Sequence, residues 1–205
     1  YMYKFCTVKK TSSTANSFLN VAYSTHVQSY GWQADKFNGM TSGTTGLGKR
    51  LEAIKIKVGG EYDLGVTYQT HVQTFGWGDW VADGDLSGTT GQSKRLEAIR
   101  IKLTGNDADK FDVYYRVHAQ TFGWLGWAKN GETAGTSGFA KRLEAIQIYV
   151  VPKGMTPSTG TSAVSYVQYG RSASKSDQMV PSLEHMEKQS VWRQSGFRST
   201  MKHLV

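Results

Sequence analysis

The stretch QTHVQTFGWGDW at residues 69–80 is written almost again as STHVQSYGWQAD at 24–35 and as RVHAQTFGWLGW at 116–127. Near-identical text at a regular interval means one supersecondary unit made three times, and no chain of this kind can be read before its repeat is understood. Tyr23, Tyr68 and Tyr115 open the copies. His26, His71 and His118 follow three residues later, then Gln28, Gln73 and Gln120, then the Gly-Trp pairs ending at Trp32, Trp77 and Trp124. Gly39, Gly84 and Gly131 come next, then Gly43, Gly88 and Gly135, and Arg50, Arg95 and Arg142 begin the closing RLEAI words. No gap is needed inside a copy, and all the length variation lies between copies. Loops tolerate insertion and packed elements do not, so the uniform spacing marks the packed unit.

Local chemistry reads as β throughout. Val66, Tyr68, Thr70 and Val72 alternate with Thr67, Gln69, His71 and Gln73 at the period of a strand. Asn38-Gly39, Asp83-Gly84 and Asn130-Gly131 are dipeptides that accept positive φ, and predict a tight hairpin turn in each copy. In each closing run the same period groups Ile99, Ile101 and Leu103 on one face and Leu96, Ala98, Arg100 and Lys102 on the other. It also sets Glu97 on the isoleucine face, as it does Glu52 and Glu144 in the other copies. A carboxylate at the edge of an apolar face needs partners, because an unpaired buried charge is costly. The arginines Arg50, Arg95 and Arg142 and the three histidines recur with the glutamates and predict a repeated structural polar network. No copy contains a convincing helix. Three units of three or four strands cannot each bury a face alone, so the expected fold is all-β and pseudo-threefold, β-prism-like, with a β-trefoil as the alternative.

The Gly-Trp sequence, the turn dipeptides, G-T-[TS]-G and K-R-L-E-A-I-x-I together resemble the ChW repeat, the clostridial hydrophobic repeat with a Gly-Trp dipeptide. The resemblance covers about 22–58, 67–103 and 114–150. It implies a secreted or cell-surface protein of a Gram-positive bacterium, with the repeats serving recognition or adhesion. Copy one departs from the other two in having Asp35 where they have Trp80 and Trp127.

Outside the three-repeat domain, expected over 21–151, lie an N-terminal segment, 1–20, and a linker with a tail, 152–205. The stretch around VPKGMTPSTGTS has linker composition. SYVQYG beyond it echoes the strand containing HVQTFG and reads as a degenerate strand that closes the sheet. From Pro181 onward, apolar residues at helical spacings allow two short amphipathic helices, with a disordered tail as the alternative. Cys6 is the sole cysteine, which excludes an internal disulfide. No apolar run is long enough to span a bilayer, and a first residue of Tyr1 suggests a processed or trimmed chain. The net charge is +8, with seven Lys or Arg against three Asp or Glu in residues 151–205, so half of the excess sits in the tail. That distribution speaks for a solvated surface or an anionic polymer and against specific nucleic-acid binding.

Two sets of candidate residues follow. Trp32, Trp77 and Trp124, at invariant spacing, are expected as core plugs, beside the network of Glu52, Glu97, Glu144, Arg50, Arg95 and Arg142. Trp80 and Trp127 follow an exposed turn and are candidate ligand contacts, as are His26, His71, His118, Gln28, Gln73 and Gln120, whose polar groups suit hydroxyl recognition. No catalytic residue, metal or cofactor is expected. The glutamates occupy equivalent positions and offer no acid and base of unequal role, and the histidines bind zinc only if they meet on the threefold axis. The expected function is a non-catalytic binding module for an extracellular ligand, carbohydrate or cell-wall polymer, with a scaffold that docks a surface protein or subunit as the alternative.

Overall fold

Each repeat opens with a long strand whose inward side is β-branched or aromatic apart from Ala119: β1 (Asn20–Val27), with Val21, Tyr23, Thr25 and Val27 buried, and its equivalents β6 (Gly65–Val72) and β11 (Phe111–Ala119). The computed structural model describes residues 19–157 and 164–169. The chain divides into Tyr1–Gln168 and Tyr169–Val205, and of the second unit only Tyr169 is described, so the segment from Pro181 onward, with its alternatives of helices or disorder, lies outside the described residues. Each repeat closes with a second long strand, β5 (Leu51–Gly59), β10 (Leu96–Thr104) or β15 (Leu143–Pro152), antiparallel to the opening one. Three short strands lie between them. In order they are β2 (Gly31–Trp32), β3 (Lys36–Phe37) and β4 (Ser42–Gly43); β7 (Gly76–Trp77), β8 (Val81–Ala82) and β9 (Ser87–Gly88); and β12 (Gly123–Trp124), β13 (Ala128–Lys129) and β14 (Ala134–Ser137).

The first two short strands of a repeat pair with its own opening strand, but the third does not stay at home. β9 joins β5, β14 joins β10, and β4 joins β15, so every repeat hands one strand to the repeat before it and the first hands its strand to the last. The result is three sheets around one shared core drawn from all three repeats. This is the division into small sheets expected of prism-like packing, and the described residues form no closed barrel. The turn dipeptides therefore do not join hairpin partners, as their sequence predicts, but carry the chain from one sheet to the next. Asn38 and Gly39 both take positive φ, and Gly39 N–H donates to the carbonyl of Ile148 in the neighbouring repeat at 2.7 Å. Asn38 meanwhile holds its own repeat: its Oδ1 accepts from Val21 N–H, as Asp83 does from Val66 and Asn130 from Val113.

Two contacts make the exchange specific. At Gly43, Gly88 and Gly135 the handed-over strand lies so close to its host that a Cβ would sit 2.4 to 2.5 Å from the carbonyl oxygens of Glu144, Glu52 and Glu97. The opening tyrosines supply the second contact. The Tyr68 hydroxyl donates to the Asp85 carbonyl in its own repeat and accepts from Ile56 N–H in the preceding one at 2.9 Å. Tyr23 likewise links Met40 to Ile148. Tyr115 donates to Glu132 and bonds the backbone of Ile101. Under these phenols Thr25 pairs with Ser42 and Thr70 with Ser87. The third repeat has Val117 and Ala134 at these positions, both buried. Exchanging both partners of a buried hydroxyl pair for apolar groups leaves nothing unsatisfied, which is why the copies can differ there.

Outside the repeats, the only helical turn among the described residues is the 3₁₀ segment Ala108–Lys110, and no helix there is long and apolar enough to cross a membrane. The strand echo in the tail is present: β16 (Tyr166–Gln168) runs parallel to β14 at the edge of the second sheet.

Gly88→Ala should lower stability by at least about 3 kcal/mol, since positive φ and a backbone clash add. Gly91→Ala, at φ +72 with open space around it, should cost only about 1 kcal/mol; denaturant melts of the two variants check the difference. A second expectation concerns alkali. Burial pushes the Tyr68 phenol up to about 12, against an opposing hydrogen bond from Ile56, and burial pushes Tyr23 and Tyr115 up as well. The folded state thus favours the neutral phenol, so stability is intact below the unfolded tyrosine value of about 10 and falls as pH rises through the folded ones. Of the eleven tyrosines, these three should therefore contribute phenolate absorbance only together with loss of tertiary structure, and titration of all three phenols in a still-folded chain would contradict the assignment.

Candidate functional site

The outer faces of the sheets carry what the core does not use. A tight turn with Ser29 and Gly31 at positive φ folds β2 back on β1, so that Val27 stands opposite Gly31 and His26 opposite Trp32. Since Val27 points inward, His26 and Trp32 point outward. Their rings meet edge to face with centroids 5.6 Å apart, and His71–Trp77 and His118–Trp124 repeat the contact at 5.5 and 5.6 Å. The expectation of Trp32, Trp77 and Trp124 as core plugs is corrected here. Trp32 is 39% exposed and the other two are half-buried on the outside. The parity of the two-residue strand after the turn sets this, and Gly31, without a side chain, occupies the inward place.

The glutamates also leave the face that strand periodicity assigns them. In β5 the pairing steps from Ala53 opposite His26 to Leu51 opposite Val27, skipping Glu52, a β-bulge that recurs at Glu97 and Glu144. One extra residue resets the alternation. Leu51, Leu96 and Leu143 turn into the core, against the sequence expectation that Leu96 faces away from Ile99, and the carboxylates turn out beneath the histidines. Glu52 Oε1 accepts from Arg50 Nε at 2.8 Å and Nη2 at 2.7 Å, and Oε2 lies 3.0 Å from His26 Nδ1. Glu97 has the same partners in Arg95 and His71, and Glu144 in Arg142 and His118. The Nδ1 contacts are close but not aligned as hydrogen bonds, so the arginine fork holds the carboxylate and the imidazole completes its surroundings. The predicted Glu–Arg–His network exists, once per sheet and on the outside.

Above each indole lies a cation that sequence reasoning did not single out. Lys55 Nζ is 5.1 Å from the Trp32 ring, the Arg100 guanidinium 4.2 Å from Trp77, and the Arg116 guanidinium 5.0 Å from Trp124. Lys55 and Arg100 are on closing strands, whereas Arg116 is on an opening strand. Ser24–Lys55, Gln69–Arg100 and Arg116–Gln147 are directly opposed pairs, so the third repeat keeps the cation by exchanging it across the ladder. The gap-free alignment contained this signal as two columns that compensate. None of these cations has a carboxylate partner among the described residues; Arg100 Nε donates to Thr133 and Arg116 Nε to Gln147. Burial lowers the pKa of Arg116 from its ordinary value, leaving it a cation at any physiological pH.

The second tryptophans extend this surface. Trp80 is 39% exposed with Lys102 Nζ 4.5 Å from its ring. Trp127 is half-buried, tilted on Tyr149 at 5.6 Å, with Arg116 4.7 Å from its ring, so that Arg116 serves two indoles. Asp35 is exposed and leaves the first sheet without a second indole. Gln28, Gln73 and Gln120 are half-buried in the turn, where their N–H groups hold the carbonyls of Arg50, Arg95 and Arg142. The histidines stand on three different sheets, and the described residues contain no group of three metal-ligating side chains.

Glu97→Gln keeps the shape but removes the charge that neutralises Arg95. Breaking a largely buried ion pair on one side costs about 3 kcal/mol, so the melting temperature should fall clearly. The double variant Glu97→Gln, Arg95→Met should recover part of the loss, and additive losses in that cycle would show that the two groups are not coupled.

Comparison with curated proteins and with solved structures found no match. The profile of the ChW family, clostridial hydrophobic W, matches three times, at residues 26–60, 71–105 and 118–152, just over half of the chain. Each match begins at the histidine that faces the tryptophan and runs through the closing strand with its bulge, and the chain belongs to the ChW family as three tandem repeats.

Proposed function

We propose that the chain is a non-catalytic binding module acting outside the cell, secreted or held at a bacterial surface, whose outer faces recognise a repetitive anionic polymer such as an acidic glycan or a cell-wall polymer. The observation that carries this reading is the cation retained over each Gly-Trp indole without a carboxylate of its own. The arginines of the RLEAI words are spent on the glutamates, whereas Lys55, Lys102, Arg100 and Arg116 are not. An indole edge or face beside a free cation suits a sugar ring that bears an acidic group: the ring stacks on the aromatic surface and the charge meets the cation. Three related faces on one rigid core add avidity, because the second and third engagements are intramolecular.

Retention of the full chain on immobilised acidic polysaccharide and on isolated cell-wall fractions tests the reading, with neutral polysaccharide as the comparison. Binding to the acidic polymers should weaken with added salt. Arg116→Gln should reduce affinity at least about tenfold, a change of about 1.4 kcal/mol. Trp32→Ala should also weaken binding, while lowering stability by only about 1 kcal/mol because its indole is exposed. A loss of about 3 to 5 kcal/mol, the size for a core aromatic, would return Trp32 to a structural role. Equal retention on neutral and acidic polymers would sink the anionic reading.

A further inference from the structure

The three repeats treat one pair of outward-facing amides in three different ways, and the difference identifies a second kind of binding site. The strands β4 and β9 are the outer edges of their sheets, and β14, their equivalent, is covered on its outer side by β16. Thr89 N–H donates to the Glu52 carbonyl, which brackets the Ala53–Gly88 pair, so the Gly88 N–H faces away from β5 and out of the sheet. In the third repeat the equivalent amide, Gly135 N–H, donates to the Ser165 carbonyl at 2.9 Å, and nearby Gly126 N–H donates to the Val164 carbonyl at 2.7 Å. The chain's own β16 thus lies parallel on β14, with Tyr166 opposite Gly135 and Val167 opposite Thr136, and Val167 is 6% exposed there. In the first repeat Gly43 N–H donates instead to the side chain of Gln33, to Oε1 at 2.8 Å. In the second repeat neither Gly88 N–H nor Asp79 N–H, the equivalent of Gly126, has a hydrogen-bond partner among the described residues.

The residue that decides is the one after the Gly-Trp pair. Gln33, Gly78 and Leu125 make the same backbone bond, to Thr25, Thr70 and Val117, each at 3.0 Å, so their backbones are equivalent and only their side chains differ. Gln33 caps the edge, Leu125 is buried, and Gly78 leaves the edge open. The geometry points to the β9 edge as a docking site for an extended peptide of a partner protein. The peptide runs parallel to β9, presents an aromatic residue opposite Gly88 and a β-branched one opposite Thr89, and gives two successive carbonyls to Asp79 N–H and Gly88 N–H. Main-chain pairing of this kind supplies affinity, and the alternate side chains supply selectivity. The occupant is inferred from β16, an extended Ser-Tyr-Val-Gln segment seated on the equivalent edge of the same molecule. The site uses different groups from the aromatic and cationic faces and does not depend on what those bind.

A capped peptide with the sequence of residues 164–168, VSYVQ, titrated into the full chain, tests the proposal, with the amide resonances of Gly88, Asp79 and Gly43 as readout. Saturable shifts of Gly88 and Asp79 are expected with a Kd on the order of 1 mM or tighter, at one peptide per chain. A Cβ at Gly78 meets nothing closer than the Thr70 carbonyl at 3.8 Å. Gly78→Gln should therefore fold, cap the edge as Gln33 does, and abolish binding. Gln33→Gly should open the β4 edge, raising the stoichiometry to two and moving Gly43 as well. Shifts confined to Gly126 and Gly135 would mean that the peptide only replaces β16, and an absence of shifts at saturating peptide would mean that the edge is closed; either overturns the proposal. Protection of the Gly88 amide that grows with protein concentration, without peptide, would assign the edge to a second copy and overturn it too.

Discussion

The structure depends on one close approach, where a short strand from one repeat lies against the closing strand of its neighbour across Gly43, Gly88 or Gly135. A repeat by itself offers two long strands and a few short ones, too little to bury an apolar face in water. Handing the last short strand onward, and having the first repeat hand its strand to the last, turns three such units into one core. The opening tyrosine reinforces the same interface: Tyr68 and Gly88 of one repeat both engage β5, the tyrosine at Ile56 and the glycine at Ala53. This explains why no gap enters a copy. The stretch from tyrosine to glycine must match the spacing of two fixed points on another repeat, whereas the segment between copies has only to connect.

The outer faces follow from the bulge. An acidic residue in the middle of a buried strand would be a liability, and the extra residue at Glu52, Glu97 and Glu144 converts it into an external anchor held by an arginine fork. The imidazole above the carboxylate, the indole beside the imidazole and the cation over the indole then form a stack fixed from below. The stack is the same in all three repeats although its cation changes strand in the third. Around it the repeats diverge, in Asp35, Trp80 and Trp127 and in Gln33, Gly78 and Leu125. A uniform frame with unlike rims gives one molecule three related and inequivalent surfaces.

Much of this was legible in the sequence. The alternation around Tyr68 and in the closing runs, and the repeat itself, specify long strands, three units and an all-β fold, because those signals are local or are read by comparing one copy with another. The pairing of Glu with Arg and His was also legible, since a charge amid apolar residues demands partners. Two readings failed, one because period-two counting assumes an unbroken ladder and the other because invariant spacing is not in itself a sign of core packing. The bulge moved the glutamates and leucines to opposite faces, and the register of the two-residue strand after the turn put the tryptophans outside.

The sequence by itself determined how many units there are, that each is made of strands, and which residues within a unit need one another. Only the tertiary structure decided that the turns cross between sheets, that each repeat is completed by its neighbour, and that one sheet edge is capped by Gln33, one is filled by β16 and one is left open. The physical reason is that these features rest on contacts between residues far apart in the chain, such as Tyr23 with Ile148 and Gly43 with Ala145, and the identity of a residue carries no record of which distant backbone it will meet.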